Sequence, residues 1–334
     1  MLIPNDNCSR ANRDVVLTRR LLAIAVVVQL VVFFAMPRDT PASDPLAYAE
    51  NAYAIATNFD AYFTDPPNHP FAMRVGLTMP VAAMYRVFGA PSIITHLLSL
   101  LATLAILLVV YCAAPSARAK RFGIAFATCS STLVLHGTIL HVDLVCGAAT
   151  AWMLFFLCRR DRSTWWTAAA VVMWFVAFLI KETAIWFAPA WIYVLVADVR
   201  GAGWRHGVRA YAAPLAVAAV LGTTYLAICA HVWGDPLARF TGTEALVGQH
   251  MWSAERFSTT QWLERLTWGP PWLFVTKFGA VFVVACLGAR CVAPRERPWL
   301  VGTVGFLVIF WFGTTSSHAY EPLPLIPRMV LPAL

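Results

Sequence analysis

The chain has 334 residues, 60% of them hydrophobic and 13% charged, with a mean hydropathy of +0.66. That composition excludes a soluble globular enzyme and points to an integral membrane protein. The net charge of +8 does not indicate nucleic-acid binding, because the basic residues come in threes and fours between apolar runs instead of forming one patch. Eight cysteines lie in or beside those runs without a Cys-X-X-Cys motif, a zinc spacing or a disulfide framework.

Apolar runs close to the ~20 residues of a membrane helix begin near Leu21, Ser92, Phe122, Val142, Thr164, Thr183, Tyr211, Trp272 and Trp299. The predicted fold is all-α: a polytopic membrane helix bundle of about nine transmembrane helices, with a long first outer loop containing interfacial helices. The breaks between runs alternate in charge. Sixteen of the 25 Lys and Arg residues, among them Arg19, Arg20, Arg118, Arg159, Arg200 and Arg295, fall on one side, and twelve of the 17 acids fall on the other. The positive-inside rule makes the basic side cytoplasmic. Residues 1–20 then form a cytoplasmic amino terminus. The run from Leu21 to Met36 reads as a retained signal-anchor, since Met36-Pro37-Arg38 lacks the small residues of a cleavage site. The expected location is the plasma (inner) membrane.

Two outer segments are longer than turns. In the first, 37–91, Asp44-Pro45 opens a predicted helix over Leu46–Thr57 whose apolar residues Leu46, Ala49, Ala52, Tyr53 and Ala56 share a face. A rigid turn, Asp65 to Pro70, precedes the apolar stretch Phe71–Phe88, which is expected to lie along the interface. The second, 231–271, carries Trp233, Trp252, Trp262 and Trp268; an aromatic belt at headgroup depth accounts for them, and tryptophan also stacks on sugars.

Ionisable residues cluster at the predicted outer ends of the spans: Asp44, His141, Asp143, Lys181 and Glu182, then His318, Tyr320, Glu321 and Arg328. Charges at a membrane boundary are costly unless paired or wet, so their placement predicts a functional cavity. Each has a plainer reading. Asp44 is complete as a helix cap before proline, Asp143 as a cap of its span, and Lys181-Glu182 as a charge pair on a tight turn. His136, His141 and Asp143 invite a metal, but a histidine at a span end more often serves as a hydrogen-bonding group, so no cofactor is expected.

Taken in order, Ser43-Asp44-Pro45, Asn68-His69-Pro70-Phe71-Ala72-Met73-Arg74, Tyr85-Arg86-Val87-Phe88-Gly89, His141-Val142-Asp143, Lys181-Glu182-Thr183-Ala184 and Pro327-Arg328-Met329-Val330-Leu331-Pro332 resemble the GT-C membrane glycosyltransferases. Protein O-mannosyltransferases and the aminoarabinose transferase of lipid A belong to that class. The resemblance implies one GT-C-like transmembrane domain over 21–334 and transfer of a sugar, usually with inversion, from a polyprenyl-phosphate donor to a lipid, glycan or protein hydroxyl on the non-cytoplasmic face. It implies Asp44 as catalytic base, with His69, Arg74, Asp143, Lys181, Glu182 and Arg328 in substrate binding. Two departures stand out. Many relatives have paired acids where Asp44 is followed by proline, and relatives usually continue well beyond the position matching Leu334. The other expectations are a secondary transporter or lipid flippase, which would place charges near the bilayer midplane, and a non-catalytic scaffold of the same fold.

Overall fold

The structure is a computed structural model that describes residues 6–36, 44–64, 71–247, 258–269, 272, 276 and 286–313. Among them only helices and turns occur, so the all-α membrane bundle stands. Helix α1 (Asp6–Ala35) is followed by three short helices, α2 (Asp44–Thr57), α3 (Phe59–Thr64) and α4 (Val75–Phe88). The bundle continues through α5 (Ser92–Ala113), α6 (Ala117–Cys129), α7 (Ser131–His136), α8 (Val142–Leu157) and α9 (Thr164–Ile180). A 3-10 turn, Glu182–Phe187, leads into α10 (Ala188–Ala202), and α11 (Trp204–Trp233) follows. Last come α12 (Ala238–Val247), α13 (Thr259–Leu266) and α14 (Arg297–Phe312).

Among the described residues, four helical stretches are long and apolar enough to cross a bilayer: Asn12–Ala35, Ser92–Ala113, Glu182–Ala202 and Arg209–Trp233. Helices α8 and α9, of 16 and 17 residues, span only about 25 Å at 1.5 Å per residue. They occupy the middle of the bundle, and α8 is buried along most of its length. The span predicted from Phe122 is broken. Ser130 ends α6 and caps α7, its Oγ accepting from the Leu133 amide at 3.3 Å, as expected where hydroxyl side chains in the run Ser130-Ser131-Thr132 compete for backbone groups. The span predicted from Trp272 lies mostly outside the described residues; the ninth is α14.

Helix α2 packs on α4 through Tyr48, Ala52 and Ile55, whereas Leu46 and Tyr53 are exposed. The buried stripe is thus offset by one residue from most of the predicted face. Both stripes are apolar, and the one carrying Tyr48 wins because its ring meets Phe71 edge-on, centroids 5.1 Å apart. Helix α4 is anchored on the other side. At Gly76 the chain runs so close to α9 that a Cβ would stand 2.7 Å from the Ile180 nitrogen and 2.8 Å from the Leu179 carbonyl carbon. Only glycine permits that approach.

The basic loops gather at one end of the bundle and are tied there. Arg121 pairs with Asp14 at 2.7 Å. Arg159 Nη2 donates to the Cys112 carbonyl at the end of α5. Arg160 grips Asp198 through two bonds of 2.9 and 2.7 Å, and Tyr211 donates to the same carboxylate at 2.8 Å.

Candidate active site

The other end of the bundle holds two neighbouring groups of charges drawn from separate elements. Ser99 Oγ on α5 accepts from the His141 amide at 2.9 Å, and His96 Nδ1 accepts from the Leu140 amide at 2.9 Å. These two bonds fix the turn that opens α8, leaving Asp143 in its first turn, where the helix dipole favours a carboxylate. The cap position belongs to His141, so Asp143 is not the cap residue. Its carboxylate accepts instead from the Lys181 ammonium, with both side chains at most 6% exposed.

Lys181 and Glu182 do not pair with each other. The extended backbone of Lys181 ends α9 and the 3-10 turn begins, so consecutive side chains point to different partners. Glu182 accepts from Arg74 through two bonds, Nη2 to Oε1 at 2.6 Å and Nε to Oε2 at 3.3 Å. A second guanidinium, Arg239 on α12, reaches the same Oε2 at 3.4 Å. Arg239 is 1% exposed and also lies over the Phe178 ring, 4.7 Å from its centroid, a favourable place for a desolvated cation.

Arg74 also donates to the Tyr48 hydroxyl. Tyr48 sits one turn after Asp44 on α2, so the two share a helix face. Burial pushes the Tyr48 phenol well above its ordinary range, with Asp44 and Glu182 pushing the same way against the opposing pull of Arg74. It therefore stays a neutral phenol beside the cation. Two groups therefore stand side by side: Tyr48, Arg74, Glu182 and Arg239 are joined by hydrogen bonds, Asp143 and Lys181 pair with each other, and Asp44 lies one turn before Tyr48 on α2. Beside the second group, the rings of His136 and His141 meet edge-on at 4.3 Å, with His141 Nδ1 3.9 Å from Asp143.

Of the sequence-predicted set, the structure pairs Arg74 with Glu182 and Asp143 with Lys181, and places Asp44 on α2 one turn before the Tyr48 that Arg74 touches. His69 and Arg328 lie outside the described residues, as do His318, Tyr320, Glu321 and Trp252. Sequence reasoning missed Arg239 and Tyr48. Nothing in the segment 231–271, where Arg239, Arg256 and Arg265 are mixed with four acids and four tryptophans, singles Arg239 out. Two cavities elsewhere, of about 420 and 220 Å³, are lined by α10 and by α9 to α11 and touch none of these charges.

No protein-family model and no curated protein matches the sequence. Similarity appears at the level of folded structure. The crystal structure of ArnT from Cupriavidus metallidurans in the apo state superposes with a TM-score of 0.63 at 19% identity, covering 97% of this chain and 58% of that one. The same protein bound to undecaprenyl phosphate gives 0.59 at 18% identity, covering 94% and 57%. The chain therefore spans a little under three fifths of the length of ArnT. Across nearly all of its own length it has the GT-C-like fold of that aminoarabinose transferase.

Proposed function

We propose that the protein is a membrane glycosyltransferase that moves a sugar from a polyprenyl-phosphate donor to a hydroxyl acceptor on the non-cytoplasmic face. One observation carries the reading: three buried or nearly buried cations, Arg74, Lys181 and Arg239, meet the carboxylates of Glu182 and Asp143 at one end of an ArnT-like bundle. The basic loops collect at the opposite end, which the positive-inside rule assigns to the cytoplasm. A solved structure with this fold holds undecaprenyl phosphate, and we assign the same class of lipid as donor carrier here.

The chemistry asks for two things. Departure of a lipid phosphate needs cationic hydrogen-bond donors at the oxygens that gain charge, and guanidinium forks suit that task. The incoming hydroxyl needs a proton acceptor at the moment of attack. Asp44, held on a short helix one turn before the phenol that touches Arg74, is the base we assign. Lys181 and Asp143 then shape the floor of the site. The test is transfer of labelled sugar from a panel of polyprenyl-phosphate donors by the purified full-length chain in liposomes. Transfer that disappears in Asp44→Asn supports the reading. Full activity in a folded Asp44→Asn protein removes Asp44 as the base, and transfer with no donor of the panel rejects the function.

A further inference from the structure

We infer that Glu182 is an internal anion that occupies the seat between two guanidiniums into which the phosphate of the lipid substrate moves. The inference rests on the proposed function and adds how its site is filled, emptied and regulated. Arg74 and Arg239 both reach Oε2 of Glu182, and Arg74 also grips Oε1. Two guanidiniums held this close repel each other unless an anion lies between them. A carboxylate and a phosphate present the same kind of acceptor, a pair of oxygens that a guanidinium fork can grip.

The order of exposure points the same way. The Arg239 side chain is 2% exposed, Arg74 11% and Glu182 20%. The carboxylate is therefore the most solvent-accessible of the three side chains, and an incoming anion meets Glu182 before the guanidiniums. Glu182 lies on a 3-10 turn after an extended residue, so it can swing aside without unwinding α9. A phosphodiester donor carries one charge and replaces the carboxylate charge for charge. The phosphate monoester left after transfer carries up to two, matches both guanidiniums, and would hold the seat. A tethered carboxylate that competes for its return ejects that product.

Glu182→Gln separates this role from that of a simple brace for Arg74. With the carboxamide, the seat loses its resident anion. The affinity for undecaprenyl phosphate should rise about tenfold or more, on the scale of charge-assisted hydrogen bonds, while that for neutral undecaprenol stays unchanged. In transfer assays KM and kcat should fall together, because product leaves slowly. A brace predicts the reverse for binding, a weaker grip on the phosphate. Inorganic phosphate serves as a second probe in thermal denaturation, where it should stabilise Glu182→Gln more than the wild type. If Glu182→Gln does not fold, Arg239→Gln with and without Glu182→Gln answers the question. The double variant has the same net charge at the seat as the wild type and should bind undecaprenyl phosphate more tightly than Arg239→Gln alone. Wild-type binding of the lipid with no gain in either Glu182→Gln background overturns the internal-anion role and leaves the proposed function standing. A gain for inorganic phosphate without any lipid binding keeps the internal anion and rejects the polyprenyl donor. No gain for either anion overturns the inference.

Discussion

Asp44 lies inside the first turn of α2, not before it as the predicted cap, and Asp44→Asn keeps a side chain of the same shape there yet removes proton acceptance. Sugar transfer should fall by about 10²- to 10⁴-fold with expression and membrane insertion unchanged, measured as initial rates against the same donor. The buried Asp143 and Lys181 pair predicts a different signature. Either Asp143→Asn or Lys181→Met alone leaves a buried charge opposite a neutral group and should cost about 3–5 kcal/mol. The double variant should recover much of that loss in thermal unfolding of the detergent-solubilised protein. Additive losses would mean the two side chains do not interact. These two residues were legible as candidates because ionisable groups at span ends demand a reason. Their partnership was not, since Lys181 sits beside Glu182 in sequence and only the extended backbone at position 181 turns the pair apart. Arg239 was illegible for a related cause: no periodicity links a cation on α12 to a carboxylate 57 positions earlier.

Helix α4 reaches α9 through Gly76, and the overlap that a methyl group would create is with backbone atoms, which cannot rotate away. Gly76→Ala should therefore separate Arg74 from Glu182 and weaken binding of undecaprenyl phosphate by at least about tenfold, while Asp143 and Lys181, on α8 and at the end of α9, keep their contact. Gly222→Ala on α11 is the control. Nothing lies within 4 Å of its added carbon, and alanine inside a helix is favourable by about 0.5–1 kcal/mol, so binding should be unchanged. The elements themselves were largely readable from hydropathy and turn residues, as with α5, α9 and α14. The failures came where local chemistry offered two answers. The Ser130-Ser131-Thr132 run broke a stretch that hydropathy alone joined. In α2, adjacent stripes were both apolar, and the choice between them depended on Phe71 and Arg74, which lie beyond the helix.

For the whole molecule, the two ends carry different chemistry, and the proposed orientation follows from which end is basic. A cysteine placed at exposed Asp60 on a cysteine-free background should react with an impermeant maleimide in intact cells or spheroplasts, and one at Arg118 only after the membrane is opened. The reverse pattern inverts the topology and moves the charged cluster to the cytoplasm. The contacts that hold this cluster also differ in how far apart their members lie along the chain. Asp143 and Lys181 are 38 residues apart and close one helical hairpin, whereas Arg74 and Glu182 are 108 apart. At a synthesis rate of about 5–20 residues per second, Arg74 waits roughly 5–20 s for its carboxylate to emerge, and longer still for Arg239. The Asp143–Lys181 pair is therefore closed as its hairpin forms, while the cationic cluster around Glu182 is assembled late, from a segment that has already been made and must hold its place until the rest of the chain arrives.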